Sequence, residues 1–151
     1  MRKQSDVRRF LVADDDVEDQ EMITMAFKAA GVYEDLRFVN DGVELLDYLH
    51  HAGSFEGEVD APRPDLILLD LNMPRLDGHG ALRQIKSDES LSDIPVIVFT
   101  TSTSEKDVEE TYRQGAQSYV IKPFSFTDLV TKVQNICTYW SEVSVLPEAT
   151  S

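Results

Sequence analysis

The strongest constraint on the fold of this chain is a repeated unit: a short apolar run, then a longer segment with apolar residues at helical spacing. The runs are RRFLVAD, LRFVN, DLILLD, IPVIVFTT and SYVI. Several are apolar at successive positions instead of alternating, which suits strands buried on both faces. Between them, Val17–Ala30 places Met22, Ile23, Ala26, Phe27 and Ala30 at helical spacing, with Gly31 as a stop. DGVELLDYLHH sets Val43, Leu46, Tyr48 and Leu49 partly on one side, and Gly78–Lys86 turns Leu82 and Ile85 inward. Ser104 with Asp107, and Ser125 with Asp128, form capping patterns that open two further helices, and Gly115 closes the first of these. Strands alternating with helices predict an α/β protein: a doubly wound parallel sheet of five βα units covered on both faces.

The remaining segments add detail. HAGSFEGEVDAPRP is long, polar and rich in Gly and Pro, and is expected to be a surface insertion before the third strand. In the last helix, Phe126, Leu129, Val130, Val133, Ile136, Cys137, Trp140 and Val143 keep one face apolar beyond what a small domain needs. Cys137 is the only cysteine and sits in that apolar setting, so a buried inert thiol and a reducing compartment are expected. The formal net charge of −14 offers no basic stripe for nucleic acid and no attraction to anionic lipid. No apolar run approaches the ~18 residues of a membrane span. The expectation is one cytoplasmic domain that docks on other proteins.

Chemistry gathers where the apolar runs end. In LILLDLNMPRLDG four aliphatic residues lead straight into Asp70, and FLVADDD ends on Asp14, Asp15 and Asp16. Thr100 and Thr101 end the fourth run and Lys122 ends the fifth. Parallel strands bring their carboxyl ends to one edge of a sheet, where such folds bind ligands. Carboxylates crowded there repel by about 4 kcal/mol per pair at ~4 Å in an effective dielectric near 20. A hard cation such as Mg²⁺, which favours carboxylates, waters and phosphate oxygens, relieves that repulsion. Lys122 suits a phosphate oxygen and the Thr100 hydroxyl can donate another hydrogen bond. The set fits a carboxylate that receives a phosphoryl group.

From about Arg9 to Ile136 the sequence resembles the receiver domain of two-component response regulators. LVADDD, LLDLNMPRLDG, VIVFTTS and SYVIKPFS stand in that family's order and spacing. The resemblance implies a flavodoxin-like sheet of order 2-1-3-4-5 and assigns roles. Asp70 would accept phosphate. Asp15 and Asp70 would bind Mg²⁺ through carboxylates, Asn72 through its backbone carbonyl, and Asp14 through a water. Thr100 and Lys122 would hold the phosphoryl oxygens, and a cis Lys122–Pro123 peptide would aim the lysine. Tyr119 would be the aromatic switch that turns inward when Thr100 moves. Thr101 departs from the small residue usual after the switch threonine, so its methyl would narrow access. Asp16, Glu18 and Asp19 are expected to serve only as helix N-terminal acids, and Asp77 as the cap of the third helix.

The expected organisation is a single receiver domain over 1–151, with its core at about 8–137, an extended last helix and tail at 138–151, and no output domain. It would not be an enzyme on a separate substrate, its catalysis being limited to its own phosphorylation and dephosphorylation. A sensor histidine kinase or phosphotransfer protein would supply the phosphoryl group. The tail YWSEVSVLP and the long loop resemble single-domain regulators that partner bacterial phytochrome kinases, and the apolar last helix suggests a homodimer through the fourth and fifth helices. Two other readings are a phosphate-independent adaptor and a haloacid-dehalogenase-type phosphatase using Asp14 and Asp16, although Glu18 stands where the latter needs Thr or Val. A calcium loop from Asp14 fails at Asp19, where Gly is needed, and at Met25, where Glu is needed. His50, His51 and His79 lack metal spacing and are expected at the surface or at loop ends.

Overall fold

The computed structural model describes residues 9–31, 35–57 and 61–140. Five strands, β1 (Arg9–Ala13), β2 (Asp35–Val39), β3 (Leu66–Leu69), β4 (Val96–Thr100) and β5 (Ser118–Ile121), form one parallel sheet. The order is β2-β1-β3-β4-β5, as expected for a flavodoxin-like fold. Helices α1 (Val17–Ala29), α2 (Gly42–His50), α3 (Gly78–Ser87), α4 (Glu105–Arg113) and α5 (Phe126–Thr138) connect and follow the strands. The three apolar runs with the heaviest aliphatic content became the central strands. β3 and β4 are buried throughout, whereas the edge strands β2 and β5 are mostly half-buried.

Alternate residues of each central strand feed two separate cores, as the two-residue period of a strand requires. Leu11, Ile67, Leu69, Val96 and Val98 pack with Leu45, Leu82 and Ile85 of α2 and α3. Phe10, Val12, Leu68, Ile97 and Phe99 pack with Ile23 and Phe27 of α1 and Leu129 and Val133 of α5. Phe10 and Phe27 meet edge to face with ring centres 5.3 Å apart. Leu45, absent from the predicted inward set of the second helix, is fully buried. α4 differs from the other helices: Thr111 is its one buried residue.

Capping chemistry sets the helix starts. Asp16, Asp41, Asp77, Ser104 and Ser125 each accept backbone N–H bonds at the N-cap, so Asp77 does cap the third helix. The long loop is more than a polar insertion. It carries a short 3-10 helix, Gly53–Phe55, whose Phe55 packs edge to face on Tyr48, and Ala61 is buried. Its main chain is also held, since the Tyr48 hydroxyl donates to the Pro62 carbonyl at 2.9 Å. At the other end of the chain, Cys137 is buried and Trp140 packs back on the α1–α5 core, while Val143 and the tail lie outside the described residues.

One close approach ties the loop after β3 to its strand. A Cβ on Gly78 would stand 2.3 Å from the Asp70 carbonyl oxygen and 2.7 Å from the Leu71 Cα. Gly78→Ala is therefore expected to destabilise the fold by about 1–3 kcal/mol, read as a lower midpoint in urea unfolding.

Candidate functional site

The carboxyl edge of the sheet collects the expected side chains. Asp14 follows β1 and Asp70 follows β3, and both are buried. The register pairs Ala13 with Leu69, so the next residue of each strand is an aspartate beside an aspartate. Thr100 closes β4, and its hydroxyl donates to Asp70 Oδ1 at 2.9 Å. The Asn72 backbone N–H reaches the same oxygen at 3.3 Å. Lys122 follows β5, and its ammonium donates to Asp14 Oδ2 at 2.6 Å, Asp19 Oδ2 at 2.8 Å and Asp70 Oδ2 at 2.9 Å. Asp15 is exposed at the mouth of this pocket. Asp14, Asp15 and Asp70 each offer a carboxylate oxygen, and these atoms lie within 4.8 Å of one another.

Local structure fixes each acid. Asp14 Oδ1 accepts from the Asp16 N–H at 2.9 Å, and Gln20 Nε2 donates to the Asp14 carbonyl at 2.7 Å. Burial pushes the Asp14 carboxyl up to about 6, against the lowering effect of its bonds from Lys122 and Asp16. Burial works against the Lys122 charge too, but the hydrogen bonds to Asp14 and Asp19 and the charge of Asp70 hold it above the ordinary lysine range. Three carboxylates, Asp14, Asp19 and Asp70, thus share one ammonium, and Asp15 adds a fourth beside Asp14 and Asp70. A hard divalent cation fits the excess charge and the all-oxygen donor set.

Some expectations change. The Lys122–Pro123 peptide is trans, not cis. Trans is the ordinary preference of an X–Pro bond, and the three carboxylates aim the ammonium without a bend in the chain. Asp19 is more than a helix-end acid, because it bonds Lys122. No local pattern carries this signal, because the partner lies 103 residues away. His79 is not a loop-end residue. It stands in the first turn of α3 with Nε2 2.9 Å from Asp107 of α4. Asp16 turns its carboxylate onto the Glu18 and Asp19 N–H groups, away from any paired role with Asp14 as a phosphatase would need.

The predicted switch pair is already inward. Tyr119 is half-buried against the core, and its hydroxyl donates to the Ser102 carbonyl at 3.0 Å. Ser102 Oγ donates to Asp107 at 2.6 Å, so Tyr119, the loop after β4 and the start of α4 share one network with His79.

The family model for the response regulator receiver domain matches residues 10–134. Among curated proteins, the chain is 42% identical over 131 residues to the probable methanogenesis regulatory protein FilR2 of Methanothrix harundinacea, covering 86% of this chain and 81% of that one. It is 36% identical over 139 residues to response regulator Rcp1 of Synechocystis sp., covering 92% of each. The structure matches response regulator RPA3017 in red light signalling of R. palustris with a TM-score of 0.88 at 38% identity, covering 94% of this chain and 99% of that one. It matches the phosphorylated cyanobacterial phytochrome response regulator RcpA with a TM-score of 0.84 at 34% identity, covering 93% and 99%. A Mn²⁺-bound form of Rcp1 is similar, with a TM-score of 0.81 and 34% identity over 93% and 99% of the two chains.

The raised Asp14 value predicts a pH dependence. Between the ordinary 3.8 and about 6, the folded protein keeps a proton that the unfolded chain releases. Stability in chelator should therefore fall as pH rises through that window. Urea unfolding at pH 4 and pH 7 should show Asp14→Asn flattening that difference relative to the unsubstituted protein.

Proposed function

From the premise that this chain belongs to the response regulator receiver domain family, we propose that Asp70 accepts a phosphoryl group from a histidine kinase in a Mg²⁺-dependent reaction. The observation that carries this reading is the convergence of Thr100 and Lys122 on the two oxygens of one buried carboxylate, beside two further acids that can share a metal. Asp14, Asp15 and Asp70 would hold Mg²⁺ with their carboxylates, Asp14 through a water, together with the Asn72 backbone carbonyl. Bound there, Mg²⁺ would supply positive charge to offset that of the carboxylates and the phosphoryl oxygens.

An Asp70 oxygen attacks phosphorus as the P–N bond to the donor imidazole breaks. The electron pair of that bond stays on the nitrogen and a P–O bond forms. The Thr100 hydroxyl and the Lys122 ammonium each give a hydrogen bond to a phosphoryl oxygen, stabilising the charge that develops there. The protein turns over no separate substrate, since both acceptance and hydrolysis act on its own Asp70.

Phosphorylation draws on the bond that Thr100 already makes to Asp70, and Thr100 leads through the loop after β4 to Ser102, Tyr119 and the start of α4. The surface of α4, β5 and α5 is the output face, where Tyr112, Ile121 and Tyr139 are exposed. We assign a homodimer to this face. The exposed apolar side chains of Tyr112, Ile121 and Tyr139 support it, and sedimentation at tens of micromolar tests it.

The kinase docks on the opposite side of the pocket. Met22 of α1 and the fully exposed Phe124 after Lys122 line the pocket there, and Val17 and Met25 of α1 add exposed apolar surface. The likenesses to RPA3017 and RcpA support a phytochrome-type sensor kinase. A cytoplasmic location follows from that partner. It agrees with the net charge of −14 and with the lack, among the described residues, of any helix long and apolar enough to cross a membrane.

Asp70→Asn should take no label from phosphohistidine or acetyl phosphate, and chelating Mg²⁺ should abolish labelling of the unsubstituted chain. Label on Asp70→Asn would overturn the assignment. Phe124→Ala should slow transfer from the kinase about tenfold and leave labelling by acetyl phosphate unchanged, measured by phosphoprotein gel.

A further inference from the structure

An ammonium has three N–H groups, and three carboxylates take those of Lys122. Asp14 and Asp70 belong to the metal-capable group with Asp15, and Asp19 does not. Asp19 also differs in exposure. Its side chain is 39% exposed, against 2% for Asp14 and 10% for Asp70. With Met22, Thr101, Pro123 and Phe124 it lines the opening that leads from solvent to Lys122.

We propose that Asp19 is a positioning residue that occupies the third N–H of Lys122 at rest and competes with the phosphoryl group for it. The proposal rests on the reading of Asp70 as phosphoryl acceptor. A phosphoryl oxygen can be held by Lys122 only if one carboxylate lets go. Asp14 is fixed: it is buried, its other oxygen accepts from the Asp16 N–H, and its main chain is held by Gln20. Asp70 forms the P–O bond through Oδ1, the oxygen that Thr100 bonds, and its Oδ2 stays on Lys122. Asp19 stands at the rim, where water can solvate its carboxylate when it releases the ammonium, and rim ion pairs are weak. It is therefore the carboxylate that gives way. Its charge also repels the anionic donor at the mouth of the pocket. After transfer, it pulls Lys122 back from the phosphoryl oxygen.

Acetyl phosphate at saturating Mg²⁺, with the full chain, tests this. Asp19→Asn should lower the apparent KM for acetyl phosphate and lengthen the phosphoryl half-life, each about fivefold. The maximal rate and the urea midpoint should stay within about twofold and within error, respectively. Asp19→Glu should restore both wild-type values. A raised KM or a shortened half-life in Asp19→Asn would mean that Asp19 anchors Lys122 for the phosphoryl group, and would overturn the proposal. Unchanged values, or equal shifts in the Asn and Glu variants, would overturn it too. If the wild-type chain took no label on Asp70, the acceptor reading would fall first and this one with it. A labelled wild type with an unmoved Asp19→Asn would remove only the role of Asp19.

Discussion

Negative charge crowded at one edge of a sheet, and the single ammonium that makes it tolerable, is the constraint on which the rest of the structure depends. The β1–β3 register sets Ala13 beside Leu69, and the next residue of each strand is the aspartate. Those two strands are buried by apolar residues on both faces, so the acids cannot move apart without breaking both cores. At ~4 Å and an effective dielectric near 20, a pair of unit charges costs about 4 kcal/mol. Burial raises Asp14 to about 6 by stripping water from its charged form, and the Asp70 charge adds to this. Lys122, held above its ordinary range by its carboxylates, is the local compensation. The core thus stabilises a polar arrangement that would disperse in a free chain.

The same edge connects the pocket to the surface through polar contacts. Thr100 touches Asp70, and two residues later the Ser102 carbonyl accepts from Tyr119 while its hydroxyl reaches Asp107. α4 buries little apolar surface, and Thr111 is its one buried side chain. Its place is set largely by hydrogen bonds near its start: Ser104 as cap, Asp107 to Ser102 and Asp107 to His79. Contacts of that kind exchange with water at small net cost, so a charge change beside Thr100 can reposition this helix where it could not reposition α3 or α5.

Much of the architecture was legible because hydrophobic period, capping residues and turn residues agree. Ser104 and Ser125 cap the helices they were expected to cap, and β5 matches SYVI to the residue. The acids were legible because polar residues that end apolar runs have one destination in a parallel sheet. What stayed hidden involved partners distant in sequence. Asp19 reads as a helix-end acid until Lys122, 103 residues away, is seen to reach it. His79 reads as a loose histidine until α4 brings Asp107 within 2.9 Å. The family pattern suggested a cis bond before Pro123 to aim Lys122, but the carboxylates already aim it.

By itself, the sequence determined the alternation of strands and helices, the two buried faces of the sheet and the strand-end position of Asp14, Asp70, Thr100 and Lys122. These follow from local periodicity and from the rule that parallel strands share a carboxyl edge. Only the tertiary structure decided which oxygen each donor reaches, that Lys122 spends all three N–H groups on carboxylates, and that Tyr119 rests inward on Ser102. Those outcomes depend on distances of a few tenths of an ångström between side chains from different strands, and these are fixed by packing, which no pattern along the chain encodes.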